Sequence, residues 1–570
     1  MKKNFVLSLI TAAVMPFALV SCSGTAENSS VSEISQNTET EEITGEITEK
    51  ETEKTKATTE NKETDEKNDG DIQSLEYERV DIDEVNEAVA KLLDDVEISG
   101  GEKNVREDIE KLLEYEDRAA EFYALAEIEY FYDWQNEAVN EKYNALGEDF
   151  TVIDTALTYA FCNAALAEEY ADLFTELIFD NPEDNEAFTG RGVSLRRMEE
   201  YARVDFMLGD EMLDEYYAAA YDEDMTEDEK DLKCAEIYID ILSMYDPETF
   251  YDLYYRDFTP EEAIQTAGLV IDEIIPAYGE LIDAYLKLDS NDELFNIKGV
   301  KEPFEVIRKY APELSDSIKE TADMIIDEEL YRVGDDTKSM DAGFTVVLPV
   351  ENKAEIYNIG YDSYRDLTDW VHEFGHFYAI CKDRTPAYLQ INNLDVAEIQ
   401  SQAMEILFTR FYDDIYGENA DIVKTAVISD ILASIVDSFV IGQFEYEMVR
   451  DIESLTQQDV VDRFDETVRS IDPEQRFYFI HHLFEQPGYY ISYGVSALAA
   501  FDIFDDNMNN PARAVEKYEK IAAVSAFSPD CRFKDTLKQC GFDDVFTEEY
   551  IKNLAEQITE YAHQVIKKHS

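Results

Sequence analysis

Basic residues are scarce in this chain. Lysine and arginine total 48 against 129 aspartates and glutamates, for a formal net charge of −81 over 570 residues. With no basic stripe to neutralise a run of phosphates, nucleic acid is excluded as a partner. The same imbalance disfavours adsorption to anionic lipid headgroups. What the acidic excess supplies is a well-solvated surface, with a weaker attraction for cationic peptides.

Cysteine is equally sparse. Beyond Cys22 there are Cys162, Cys234, Cys381, Cys531 and Cys540. An odd number with no CxxC pair is neither a disulfide framework nor a cysteine metal site. Only Cys531 and Cys540 lie near enough in sequence to suggest a bridge. Long apolar runs are also missing: beyond the N-terminal leader, no stretch is expected to cross a bilayer.

The leader itself is informative. Met1-Lys2-Lys3 precedes a short apolar run from Phe5 to Val20, broken by Ser8, Thr11 and Pro16, which is the pattern of a secretory signal. It ends in Leu19-Val20-Ser21-Cys22 and resembles the lipobox of bacterial lipoproteins, in which cleavage precedes the cysteine and its thiol receives a diacylglycerol. Residues 1–21 are thus expected to be a lipoprotein signal peptide, with Cys22 lipidated. The mature protein would be an extracytoplasmic, lipid-anchored membrane protein. Residues 22–75 are rich in Glu, Thr, Ser, Lys and Asn and almost free of aromatics. Such a stretch cannot bury enough apolar surface to offset its ordering entropy, so it is expected to be a disordered acidic tether.

The remainder is long enough for a large core and more than one lobe. From residue 76 to 330, apolar residues recur at three and four, as in Ile109-Glu110-Lys111-Leu112-Leu113, and predict a helical N-terminal lobe. The character changes at Gly334-Asp335-Asp336. Phe344–Leu348 and Ala354–Asn358 then read as two strands of a small sheet, and residues 331–570 as a catalytic region.

Histidine is rare too: six in the whole chain. Two of them fall in His372-Glu373-Phe374-Gly375-His376, within a predicted helix from Ser363 to about Cys381. Histidines four apart share one helix face and can reach one metal ion, and Glu373 can reach a water beside it. Catalytic zinc needs a third protein ligand while one position stays open. The next predicted helix, Asp395–Glu405, offers three carboxylates. Glu398 is the first choice for the ligand and Asp395 the second. Glu405 shares a face with Glu398 and is the candidate to orient an imidazole.

His372–His376 followed by Glu398-Ile399-Gln400-Ser401-Gln402-Ala403-Met404-Glu405 resembles the M3 peptidases, the thimet oligopeptidase and oligoendopeptidase F group. The upstream Lys338–Phe344 stretch is similar to that family's strand beside the substrate cleft. The resemblance implies a mainly α, two-lobed helical zincin-type metallopeptidase, with a deep cleft and a small β-sheet next to the HExxH helix. It implies one Zn2+ per chain on His372, His376 and Glu398, Glu373 as general base, and short peptides as substrates. It also implies that a C-terminal histidine and tyrosines face the metal. His481, Tyr490 and Tyr493 in His481–Gly494 are the counterparts, with donors for a developing oxyanion. On residues alone, that stretch reads equally as core or surface histidines before a buried tyrosine-rich helix. The chain departs from the family at Phe377-Tyr378-Ala379, Gln400 and Asp369, none of which removes a ligand or the base. The expected activity is zinc-dependent endopeptidase cleavage. A non-catalytic peptide-binding lipoprotein and a zinc amidase acting on cell-wall peptides are the alternatives.

Overall fold

The structure is a computed structural model. It describes residues 79–178 and 212–570, apart from 165–166, 214, 223, 246, 248–249, 252–253, 289–293, 295–296, 335–336, 361–362, 391–393, 474 and 529. The leader, Cys22 and the tether lie outside the described residues.

Among the described residues the chain is mainly helical, and its apolar residues form two buried cores. Helices Ile82–Asp95, Glu102–Tyr132 and Glu137–Ala164 build the smaller one around Leu92, Ile109, Leu112, Ile153 and Leu157. The larger core takes in residues from Ala124 to Val565, so residues 216–330 pack with the segment that carries HExxH. The Glu102–Tyr132 helix serves both: Val105 and Ile109 face the smaller core, Leu125 and Ile128 the larger. This follows from its length, because 31 residues at 1.5 Å each outreach a single lobe.

The C-terminal end of that helix rests on a three-stranded sheet of order β1-β3-β2. Here β1 is Tyr331–Val333, β2 Gly343–Leu348 and β3 Lys353–Asn358. β2 runs antiparallel to β3, from Gly343 opposite Asn358 to Leu348 opposite Lys353, and β1 runs parallel to β3. The two predicted strands are present. β1 was not anticipated, since three residues show no period. Phe344 packs edge-on against Phe131 at 4.8 Å, and burial of such a ring stabilises by roughly 1.5–3 kcal/mol. The helix also grips the loops around the sheet. Glu121 accepts from the amides of Val350 and Glu351 at the hairpin turn, and one turn earlier Asp117 accepts from Ala387 N–H. Burial pushes the Glu121 carboxyl up to about 7, against the pull of those two amides.

One expectation is corrected. Leu394–Ser454 does contain a window long and apolar enough to cross a bilayer, but 78% of it is buried inside the fold. An all-round apolar helix in the middle of a large core meets the same criterion. Cys531 and Cys540 are both buried free thiols, so the suggested bridge is not formed.

Candidate active site

The HExxH helix spans Arg365–Ile380, with Asp366 in its first turn, where a carboxylate suits the helix dipole. From Asp366 to Ile380 every residue except the half-buried Asp369 is buried, because the sheet covers one side and the next helix, Leu394–Phe408, the other. Gly375 is what lets the two helices meet. A Cβ there would lie 2.7 Å from both Gln400 O and Ser401 Cα. Any side chain would push the helices apart, and with them the histidines from Glu398.

At that crossing three groups converge. Glu398 Oε2 lies 3.4 Å from His372 Nε2 and 3.6 Å from His376 Nε2, and the three candidate ligand atoms are all within 4.8 Å of one another. Donors about 2.0–2.2 Å from a common tetrahedral centre stand roughly 3.3–3.6 Å apart, so this spacing fits a zinc-sized ion. His376 Nε2 is buried without a hydrogen-bond partner, which is costly unless a ligand takes its lone pair. Burial alone would raise the Glu398 carboxyl. The facing His376 and His372 outweigh that and hold it well below the usual carboxylate range. Ser401 Oγ donates to the same carboxylate at 2.9 Å.

Glu405 faces the first histidine. Its Oε1 is 2.7 Å from His372 Nδ1, so Nδ1–H donates outward and Nε2 faces Glu398. Glu373 is buried beside the triad. Burial raises its carboxyl above the usual range, against the pull of His372 and His376. Its Oε2 accepts a hydrogen bond from Thr345 Oγ1 at 2.7 Å, a partner that nothing in the sequence pattern singled out.

Asp395 is not with them. It forms a fully buried ion pair with Arg256, whose Nε and Nη2 reach its two oxygens at 3.0 and 3.3 Å. Ser492 Oγ donates to it at 2.5 Å. The second choice of ligand is therefore occupied as a structural anion. Arg256 also donates to Gly488 O at 2.7 Å and to Ser492 Oγ at 2.9 Å, and Tyr251 and Tyr254 stack on its guanidinium. It joins the start of the Glu398 helix to the turn before Tyr490. Gly488 makes that turn at φ +90°, and its N–H donates to Glu445.

The two histidines of the C-terminal stretch have different settings. His481 is held by Tyr216 at Nδ1, 2.8 Å, and by Tyr221 at Nε2, 3.2 Å. His482 is the one that shares a ring cluster with the tyrosines: Tyr489 stacks on it at 5.3 Å, and Tyr490 and Tyr493 meet it edge-on at 6.0 Å each. Burial lowers both imidazoles. Two adjacent histidines cannot be told apart by sequence, because only the packing decides which ring faces which partner.

Fold and site together define the class: a mainly helical fold with a small sheet beside a candidate His-His-Glu metal centre. Among solved structures, the chain superposes on PZ peptidase A with a TM-score of 0.65 at 14% identity, covering 86% of this chain and 99% of that one. A protein described as an oligoendopeptidase F gives 0.64 at 16% identity, covering 86% and 98%. Another so described, from Bacillus anthracis, gives 0.60 at 15% identity, covering 87% and 98%. At such identities it is the fold that is shared. No family model and no curated protein matches the sequence.

Proposed function

We propose that the chain is a zinc-dependent endopeptidase that hydrolyses short peptides outside the cytoplasm. The observation that carries this reading is the convergence of His372, His376 and Glu398 with Glu373 beside them. A zinc ion on those three ligands would supply Lewis acidity, polarising a water molecule and the scissile carbonyl. Glu373 takes a proton from the water as its oxygen attacks the carbonyl carbon, then delivers it to the amine nitrogen as the C–N bond breaks. The oxyanion that develops on the carbonyl oxygen needs a donor. Tyr490, Tyr493 and the His482 that packs against them are the candidates, ahead of His481, whose ring nitrogens are engaged by Tyr216 and Tyr221. A cleft between two lobes would favour short, unfolded peptides over folded proteins.

Purified protein should contain one zinc per chain and cleave members of a random peptide library. A chelator should abolish cleavage and added zinc restore it. Tight peptide binding with no chelator-sensitive turnover would instead identify a receptor, and cleavage confined to cell-wall peptides an amidase.

The leader and Cys22 support a lipid anchor. Cys22→Ser should move the protein from the membrane to the soluble fraction. If fractionation leaves the variant on the membrane, Cys22 is not the anchor.

A further inference from the structure

The general base has a partner that belongs to neither the metal nor the substrate. Thr345 lies on β2, at the edge of the sheet, opposite Ile356 in register. Along that strand Phe344, Val346 and Leu348 alternate with Thr345 and Val347, so Thr345 points to the other face. There its hydroxyl donates to Glu373 Oε2 at 2.7 Å, and both residues are buried. Its oxygen is also 3.3 Å from the Glu373 carbonyl, so the hydroxyl addresses this one residue twice.

We propose that Thr345 is a positioning residue for the general base, fixing one carboxylate oxygen of Glu373 so that the other is presented to the water it deprotonates. A free glutamate has three side-chain torsions to settle, and an error of about 1 Å in a proton acceptor is expensive in rate. The strand makes a rigid support. β2 is paired along its whole length with β3, and the Glu102–Tyr132 helix braces it through Phe131 and through the Glu121 cap on the hairpin turn. Threonine suits the place for two reasons. Its β-branch favours the strand, and its hydroxyl is a donor that needs no charge of its own beside a carboxylate.

The inference rests on the peptidase reading, and the experiment separates the two. Thr345→Val keeps the shape and removes the donor. It should lower kcat roughly 10-fold to 100-fold, the usual effect of losing a partner that orients a catalytic group, with KM, zinc content and Tm unchanged. Thr345→Ser, which keeps a hydroxyl, should recover most of the rate. Added to Glu373→Gln, Thr345→Val should cost nothing further, since it acts through a carboxylate already removed. A Thr345→Val enzyme with parental kcat overturns the assignment alone. So does an equal fractional loss in the parent and Glu373→Gln backgrounds, or a fall in zinc content or Tm that accounts for the loss. A parent that cleaves no peptide overturns the peptidase reading and this assignment with it.

Discussion

Glu373→Gln should abolish nearly all peptide cleavage while the protein keeps its metal and its fold. The substitution is close to isosteric, and the amide oxygen can still accept the hydrogen bond from Thr345, so packing at the crossing is undisturbed. What is lost is the ability to take a proton. General-base catalysis contributes about 10²–10⁴-fold, and a fall in kcat/KM of that size is expected. None of the three candidate ligands is touched, so zinc per chain should equal the parent's. Side-by-side metal analysis and kinetics on one fluorogenic peptide decide it. A Gln variant as fast as the parent would remove Glu373 from the reaction.

The second large effect is a contrast between two carboxylates one helical turn apart. Glu398→Ala should lose the metal and with it all chelator-sensitive activity. The two remaining imidazoles are too few to hold zinc at a catalytic site. Asp395→Ala should keep one zinc per chain but destabilise the fold by about 3–5 kcal/mol, because it strands the Arg256 guanidinium in the core without its counter-ion. Metal analysis paired with denaturant unfolding reads both quantities on each variant. If Asp395→Ala sheds the metal and Glu398→Ala holds it, the ligand assignment is reversed.

Much of this site was legible from the residues because part of it is local. His372 and His376 sit four apart on one helix, so their shared face follows from helical geometry alone. The predicted helices and the β2–β3 hairpin came from apolar periodicity and β-branched runs, which are also local signals. Glu398 could be nominated from the helix it occupies, yet Asp395 stood on the same helix with the same charge. What separates them is Arg256, 139 residues earlier in the chain, which takes Asp395 into an ion pair and leaves Glu398 facing the histidines. Thr345 was inside a predicted strand, but nothing in a strand's period says which carboxylate its hydroxyl will meet.

The sequence by itself determined which residues could carry the chemistry. It holds two imidazoles and a carboxylate on one helix, a second acidic helix to follow, and a large excess of acidic over basic residues. Only the tertiary structure decided the membership of the site. It decided that Gly375 admits Gln400 and Ser401 close enough for Glu398 to reach the histidines. It decided that Glu405 meets His372 Nδ1, that Thr345 donates to Glu373, and that His482 rather than His481 shares a cluster with Tyr490 and Tyr493. The physical reason is range. Helical spacing acts over a few residues and is written in the chain, whereas a buried polar group's partner is whichever atom packing brings within about 3 Å, from any distance along it.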